Sequence, residues 1–399
     1  MKHLFPGATG HFSLIQGCYW MTYCILISFS SLYLLDRGFT NTQIGLLLGI
    51  AGLTAAILQP FVGAKGDHLK VLSLRQFTSL PIAAMILCGV GLLLVPAKPI
   101  QAALYMVLLV LLQLLTPLIY SLGMDCLNNH IELNFGLARG IGGGTYALAS
   151  AVCGSLAAAL GARVIPLVLV VAVALMLAFT FTFRQGGPVK STLPKPDALP
   201  QSDGTPFLKK YPQVLPLLIG VILLYTSHNV IMNFPYQIVR SLGCGSAEMG
   251  HYLTLQSLMD IPAMVVFSLL LKRASSRAWV RLTGISFFLH ALLTWLAPNL
   301  PFLMVVQVFE MSGYALYSVS SVYFVNEMVD LCDRVQGQTY FTMANTIGIV
   351  LSSVLGGRLL DLGGASAALC LATVTGAAGM VILWLLLRRK SLRPATNAA

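Results

Sequence analysis

Twelve apolar stretches, each long enough to cross the ~30 Å hydrocarbon core of a bilayer as a helix, run along this chain in two sets of six. They lie near residues 12–35, 41–63, 74–95, 99–122, 138–160 and 163–184, then 213–240, 247–271, 279–297, 300–326, 338–359 and 363–388. With 57% hydrophobic and 9% charged residues, the chain has too little polar surface to coat a soluble globule of 399 residues. A backbone in hydrocarbon must satisfy its own hydrogen bonds, and no ten-residue alternation suggests a barrel, so all twelve spans are expected to be helices. The first is not read as a cleavable signal, because only Lys2 precedes it and no small-residue cleavage site follows.

Basic residues orient these helices. If both termini are cytoplasmic, only Arg37, Lys98, Arg163, Arg240 and Arg358 of the 24 Lys and Arg fall outside, as the positive-inside bias requires. The net charge of +11 is then a topology signal with some affinity for anionic lipid, not a nucleic-acid footprint. Residues 185–212 carry six prolines and four lysines and read as a cytoplasmic linker between a first bundle, 1–184, and a second, 213–399. The eight cysteines are scattered without metal-ligand spacing. No phosphate loop, nucleophile elbow or zinc-type histidine spacing is present, so an enzyme, a metal and a cofactor are not expected.

A weak internal repeat supports the two sets. Asn41-Thr42-Gln43-Ile44-Gly45 is matched by Ser246-Ala247-Glu248-Met249-Gly250, 205 residues on, and Gly154 and Gly161 by Gly357 and Gly364, 203 residues on. Two six-helix halves related by an axis along the membrane normal would place a solute site between them.

The segment QPFVGAKGDH, with Gly63 and Asp67 in G-x-x-x-D spacing, resembles the loop motif of the major facilitator superfamily, where it forms an interdomain latch; His68 stands where Arg or Lys is usual. Together with LLDRGFTNTQIG, NFGLARGIGGGTYAL and VVQVFEMSGYAL, it makes the chain similar over nearly its full length to the lactose permease and oligosaccharide:proton symporter group. Gly250 through MDIPAM is similar to the matching helix of sugar efflux transporters. The resemblance implies an all-α, twelve-helix major facilitator fold, a small-molecule solute and coupled protons. It leaves the solute itself and the direction of transport open.

Ionisable groups inside spans carry the mechanism, since each costs at least ~2.5 kcal/mol at the bilayer centre unless it meets a wet cavity or a partner. Glu310, between Phe309 and Met311, is costly there as an anion and so suited to hold a proton; the alternative is a structural carboxyl bonded to another helix. By resemblance it falls on the proton-carrying glutamate of the symporters, with Gln307 in place of their histidine and His290 in place of their arginine. His290 is then either a second titratable group or a packed neutral ring. Asp260, four residues after Gln256 on one helix face, is a second candidate for a proton or solute hydroxyls, or else a structural group at the Pro262 kink.

Arg139 falls, by resemblance, on the arginine that binds sugar hydroxyls in these symporters; Asp125, near the inner end of the fourth span, is its expected partner, although the family's acidic partner aligns closer to Ser121, and the bland reading is a cytoplasmic-end salt bridge or a snorkelling arginine. Tyr146 stands at their sugar-stacking tryptophan. The permease's charged pairs between its seventh, tenth and eleventh helices correspond to Thr226, Asn229, Met304 and Asn345, all uncharged, so no unpaired charge is left behind. His228, Asn229 and Asn233 form a polar stripe expected to line a cavity with Gln16, Tyr19 and Tyr23, although any single one is more commonly an interhelical packing residue.

The expected protein is a monomeric, multi-pass carrier of a bacterial-type cytoplasmic membrane. It would move a sugar or nucleoside by proton symport, with an organic-acid permease, a proton-driven exporter and a non-transporting receptor as alternatives.

Overall fold

The structure is a computed structural model that describes residues 7–67, 73–128, 131–183, 206–270 and 274–388. The Asp67 side chain, His68 and most of the expected linker lie outside the described residues; Gly63 is in the last turns of the helix Asn41–Asp67. All regular elements among them are helical. Among the described residues, eight helices are long and apolar enough to cross a membrane by length and composition, or nine when Gly7–Ser28 and Ser30–Asp36, bent by 49°, count as one. Large apolar side chains such as Leu87, Leu94, Phe61 and Leu362 point outward, as a lipid-facing surface requires.

Several expected spans depart from a single regular helix. The stretch 213–240 is two helices, Val214–Asn233 and Pro235–Ser241, because proline cannot donate to the preceding turn and Phe234 leaves helical geometry (φ −128°, ψ 42°). The stretch 300–326 extends to Met328 and is interrupted by a widened π turn, Met311–Ala315, immediately after Glu310. The last two spans form one run, Arg334–Leu387, broken at Gly363 and Gly364, where φ of +66° turns the chain sharply.

Local backbone geometry repeats along the chain. The four positive-φ glycines among the described residues fall into two pairs: Gly38 (76°) with Gly243 (77°), and Gly161 (81°) with Gly364 (66°). Around the first pair the hydrogen bonds repeat with the residue numbers shifted by 205. Gly38 N donates to Leu35 O and Phe39 N to Leu34 O, as Gly243 N does to Arg240 O and Cys244 N to Val239 O. The helix that follows is capped alike: Thr40 N donates to Gln43 Oε1 and Gly245 N to Glu248 Oε2. Upstream, Phe29 breaks the first helix of one set where Phe234 breaks that of the other.

Cα packing divides the chain into two compact units. Unit 1 joins Met1–Thr192 with Asn233–Leu258. Within it the helices Phe135–Leu160 and Ser246–Leu270 approach through Gly154 and Gly250: a Cβ added to Gly250 would lie 2.5 Å from Ser150 O. The Thr254 hydroxyl donates to Ala147 O and the Ser257 hydroxyl to Gly143 O, both at 2.9 Å, which fixes the register of this close crossing.

Unit 2 joins Leu193–Met232 with Met259–Ala399. Leu217, Leu224, Tyr225, Phe287, Tyr317 and Phe324 form its core. At its polar end, Lys210 Nζ lies 2.7 Å from Asp333 Oδ2 and 3.1 Å from Asp330 Oδ2, and the Tyr211 hydroxyl meets the same carboxylates at 2.9 Å. The hydrogen bond to Asp333 holds the Lys210 ammonium above its usual range, so it stays charged.

Candidate functional site

Of the two ways a membrane helix tolerates a carboxyl, a wet cavity or a partner, Glu310 has the second. Its side chain is 2% exposed, and Oε2 lies 3.4 Å from His228 Nδ1 and 3.3 Å from His290 Nδ1. The two imidazole side chains are 4% and 2% exposed. Three helices meet here: Val214–Asn233 supplies His228, Ser276–Trp295 supplies His290, and the short turn Val308–Glu310 supplies the carboxylate. Glu310 N bonds tightly back to Gln307 O, and the π turn follows, so the carboxyl sits where the helix is wound first too tightly and then too loosely. Such a local defect re-aims a side chain that a regular helix would present elsewhere.

Aromatic rings hold the histidines. His228 stacks on Tyr314, with centroids 4.7 Å apart and planes 5° from parallel, and stands edge-on to Phe287 at 5.6 Å. His228 Nδ1 and His290 Nε2 are buried and make no hydrogen bond among the described residues. Gln307 is fully buried, its amide nitrogen donating to Leu303 O, so it supports the helix rather than touching the carboxylate oxygen that the histidines share. His228, expected in a solute-lining stripe, is a member of this cluster. Tyr314, four residues after Glu310, was not anticipated.

The other expected cation lies in unit 1. Arg139 is half-buried near the start of Phe135–Leu160, and its Cζ sits 3.8 Å from the centroid of the Trp20 ring. Trp20 in turn donates from Nε1 to Gln16 Oε1 at 3.3 Å and packs on Tyr23 at 5.1 Å and edge-on to Tyr19 at 5.3 Å. Gln16 has no exposed surface, and its Nε2 has no hydrogen-bond partner among the described residues. Trp20 is therefore the hub of this cluster, a residue without a local sequence motif to mark it. Asp125, expected beside Arg139, is half-buried near the end of the helix Lys98–Asn128.

Tyr19, expected to line the cavity, and Tyr146, expected at the sugar-stacking position, both make interhelical hydroxyl contacts. Tyr19 is buried with its hydroxyl 2.5 Å from Thr116 Oγ1, and the Tyr146 hydroxyl lies 2.6 Å from Ser28 Oγ. Asn229 is half-buried and donates to Tyr225 O, Asn233 is buried, and Asn345 is half-buried with an Oδ1 that accepts no hydrogen bond among the described residues. Thr226 reaches Gly348 O at 3.4 Å, a neutral interhelical contact. Gln256 is buried and Asp260 half-buried on the helix Ser246–Leu270.

A sequence profile described as the MFS_1 like family matches residues 13–370. Among solved structures, the chain is similar to two crystal structures of the nucleoside transporter NupG, one of them a mutant. The TM-scores are 0.79 and 0.73 at 14% and 15% identity, each covering 96% of this chain and 99% of the other. It is similar as well to a bacterial homologue of the iron transporter ferroportin in an inward-facing state (TM-score 0.69, 13% identity, 96% of this chain and 99% of that one). The human organic anion transporter MFSD10 (TETRAN) gives 0.64 at 14% identity, over 96% of this chain and 100% of that one. At these identities the likeness is one of fold. No curated protein matches the chain in sequence.

Proposed function

The chain belongs to the MFS_1 like family of the major facilitator superfamily and is a membrane transporter, and from that premise we propose that it carries a sugar or nucleoside by proton symport. Twelve helical segments serve as its spans, counting the bent pairs as single spans and the run Arg334–Leu387 as two. Residues 1–184 and 213–399 act as two bundles joined by a cytoplasmic linker, and the chain works as a monomer in a bacterial-type cytoplasmic membrane with both termini inside. The basic-residue bias supports this orientation.

The observation that carries the coupling is the burial of Glu310 between two imidazoles. A carboxylate so far from water is stabilised either by a proton of its own or by one on a histidine, and alternating access gives that proton a route from one side to the other. Asp260 serves as the second acidic group. Solute is held by Arg139, whose fixed fork of donors suits hydroxyls or a carboxylate, with Trp20 and Tyr23 as a ring-stacking platform. Gln16 and Gln256 supply amides. The NupG structures, described as those of a nucleoside transporter, favour a solute with both a ring and hydroxyls. Arg139 over Trp20 equally suits an aromatic acid, the second reading, and competition for uptake by acids against nucleosides separates the two.

The decisive measurement is transport by Glu310→Gln in proteoliposomes. Loss of proton-driven accumulation with solute exchange retained is expected, and undiminished uphill uptake would refute the coupling role.

A further inference from the structure

The contacts of Glu310 with its histidines are too long for the charge-assisted hydrogen bonds they resemble, which run to about 2.7–2.9 Å. At 3.3 and 3.4 Å they match another geometry. Ligand atoms at ~2.1 Å from a tetrahedral zinc-class ion stand about 3.4 Å apart along each edge. The ligand atoms of His228, His290 and Glu310 all lie within 4.8 Å of one another, so the remaining imidazole–imidazole edge closes with a small side-chain rotation.

The donor set points the same way. Two imidazoles and one carboxylate from three helices suit a borderline divalent ion and do not suit calcium or magnesium, which take six or more oxygens. All three side chains are more than nine-tenths buried, and His228 Nδ1 makes no hydrogen bond among the described residues. Stacking on Tyr314 fixes the His228 ring, so part of the ordering cost is met before any ion arrives. One carboxylate against a divalent ion leaves a net positive charge, and three protein ligands leave the fourth position for water or a polar solute atom.

We propose that His228, His290 and Glu310 form a binding site for a single divalent first-row transition-metal ion of the zinc class. The site goes beyond the transport reading and does not depend on it, although a proton on Glu310 and a metal in the cluster exclude one another.

The test uses the purified full-length chain, stripped of metal and titrated with Co²⁺ and then Zn²⁺. One Co²⁺ per chain with the intense visible absorption of a tetrahedral site, bleached by Zn²⁺, is expected. X-ray absorption of the zinc-loaded wild type should show two imidazoles and no sulfur. His228→Gln, His290→Gln and Glu310→Gln should each weaken binding by tenfold or more, while His251→Gln, at an exposed position, leaves it unchanged. No bound metal, a six-coordinate spectrum, sulfur in the shell, or equal affinity in His228→Gln overturns the proposal. The absorption measurement on wild type decides even if the variants misfold. Solute uptake is assayed separately: a chain that transports but binds no metal in the titration sinks this site alone, and metal binding with undiminished uphill uptake by Glu310→Gln sinks the coupling assignment alone.

Discussion

The Glu310 cluster and the Arg139 cluster solve one problem in opposite ways. Each keeps an ionisable group within apolar helices. Glu310 is sealed, its carboxyl flanked by two imidazoles from other helices, whereas Arg139 stays half-exposed and rests on the face of an indole. A sealed group depends on all its partners, because no water replaces one that is lost. A half-open group loses less, because solvent or solute can take the place of any one neighbour. Interdependence therefore marks the first cluster and exchangeability the second, and a carrier needs both.

The contrast breaks most visibly at His290. His290→Leu leaves Glu310 with one partner fewer and should cost about 3–5 kcal/mol, read as a lower midpoint of thermal unfolding in detergent. The double variant His290→Leu/Glu310→Leu should recover most of that loss, and a double variant as unstable as the single would show that packing rather than charge is at stake. In the other cluster, Trp20→Leu removes a cation–π contact worth ~0.5–2 kcal/mol. It should weaken solute affinity by up to about thirtyfold, measured by equilibrium binding, with little change in unfolding midpoint. Arg139→Lys keeps the charge but loses the planar fork, and a smaller affinity loss of about 0.5–1 kcal/mol is expected from the same titration. A drop in stability with Trp20→Leu as large as that of His290→Leu would erase the distinction.

The helices were legible because hydropathy at bilayer length is a coarse signal that tertiary packing does not override. The break at Phe234 was open to view in the following proline, but the π turn beside Glu310 has no local signature, since it arises from how the helix packs. Glu310 stood out as a carboxyl among apolar neighbours. His228 was sorted with Asn229 and Asn233 because spacing reveals only the face of its own helix, and its carboxylate partner is 82 residues away. Trp20 was overlooked although Gln16 and Tyr23 flank it at helical spacing. A lone tryptophan in a span reads first as an anchor at the membrane interface.

The matched corners at Gly38 and Gly243 share one backbone but not one chemistry. The first is closed by the neutral amide of Gln43, the second by the carboxylate of Glu248. Acidification therefore loosens only the later corner, since a protonated Glu248 is a poorer acceptor for the Gly245 amide. Two joints cut to the same template thus answer differently to the surrounding medium, and each provides the control against which the other can be judged.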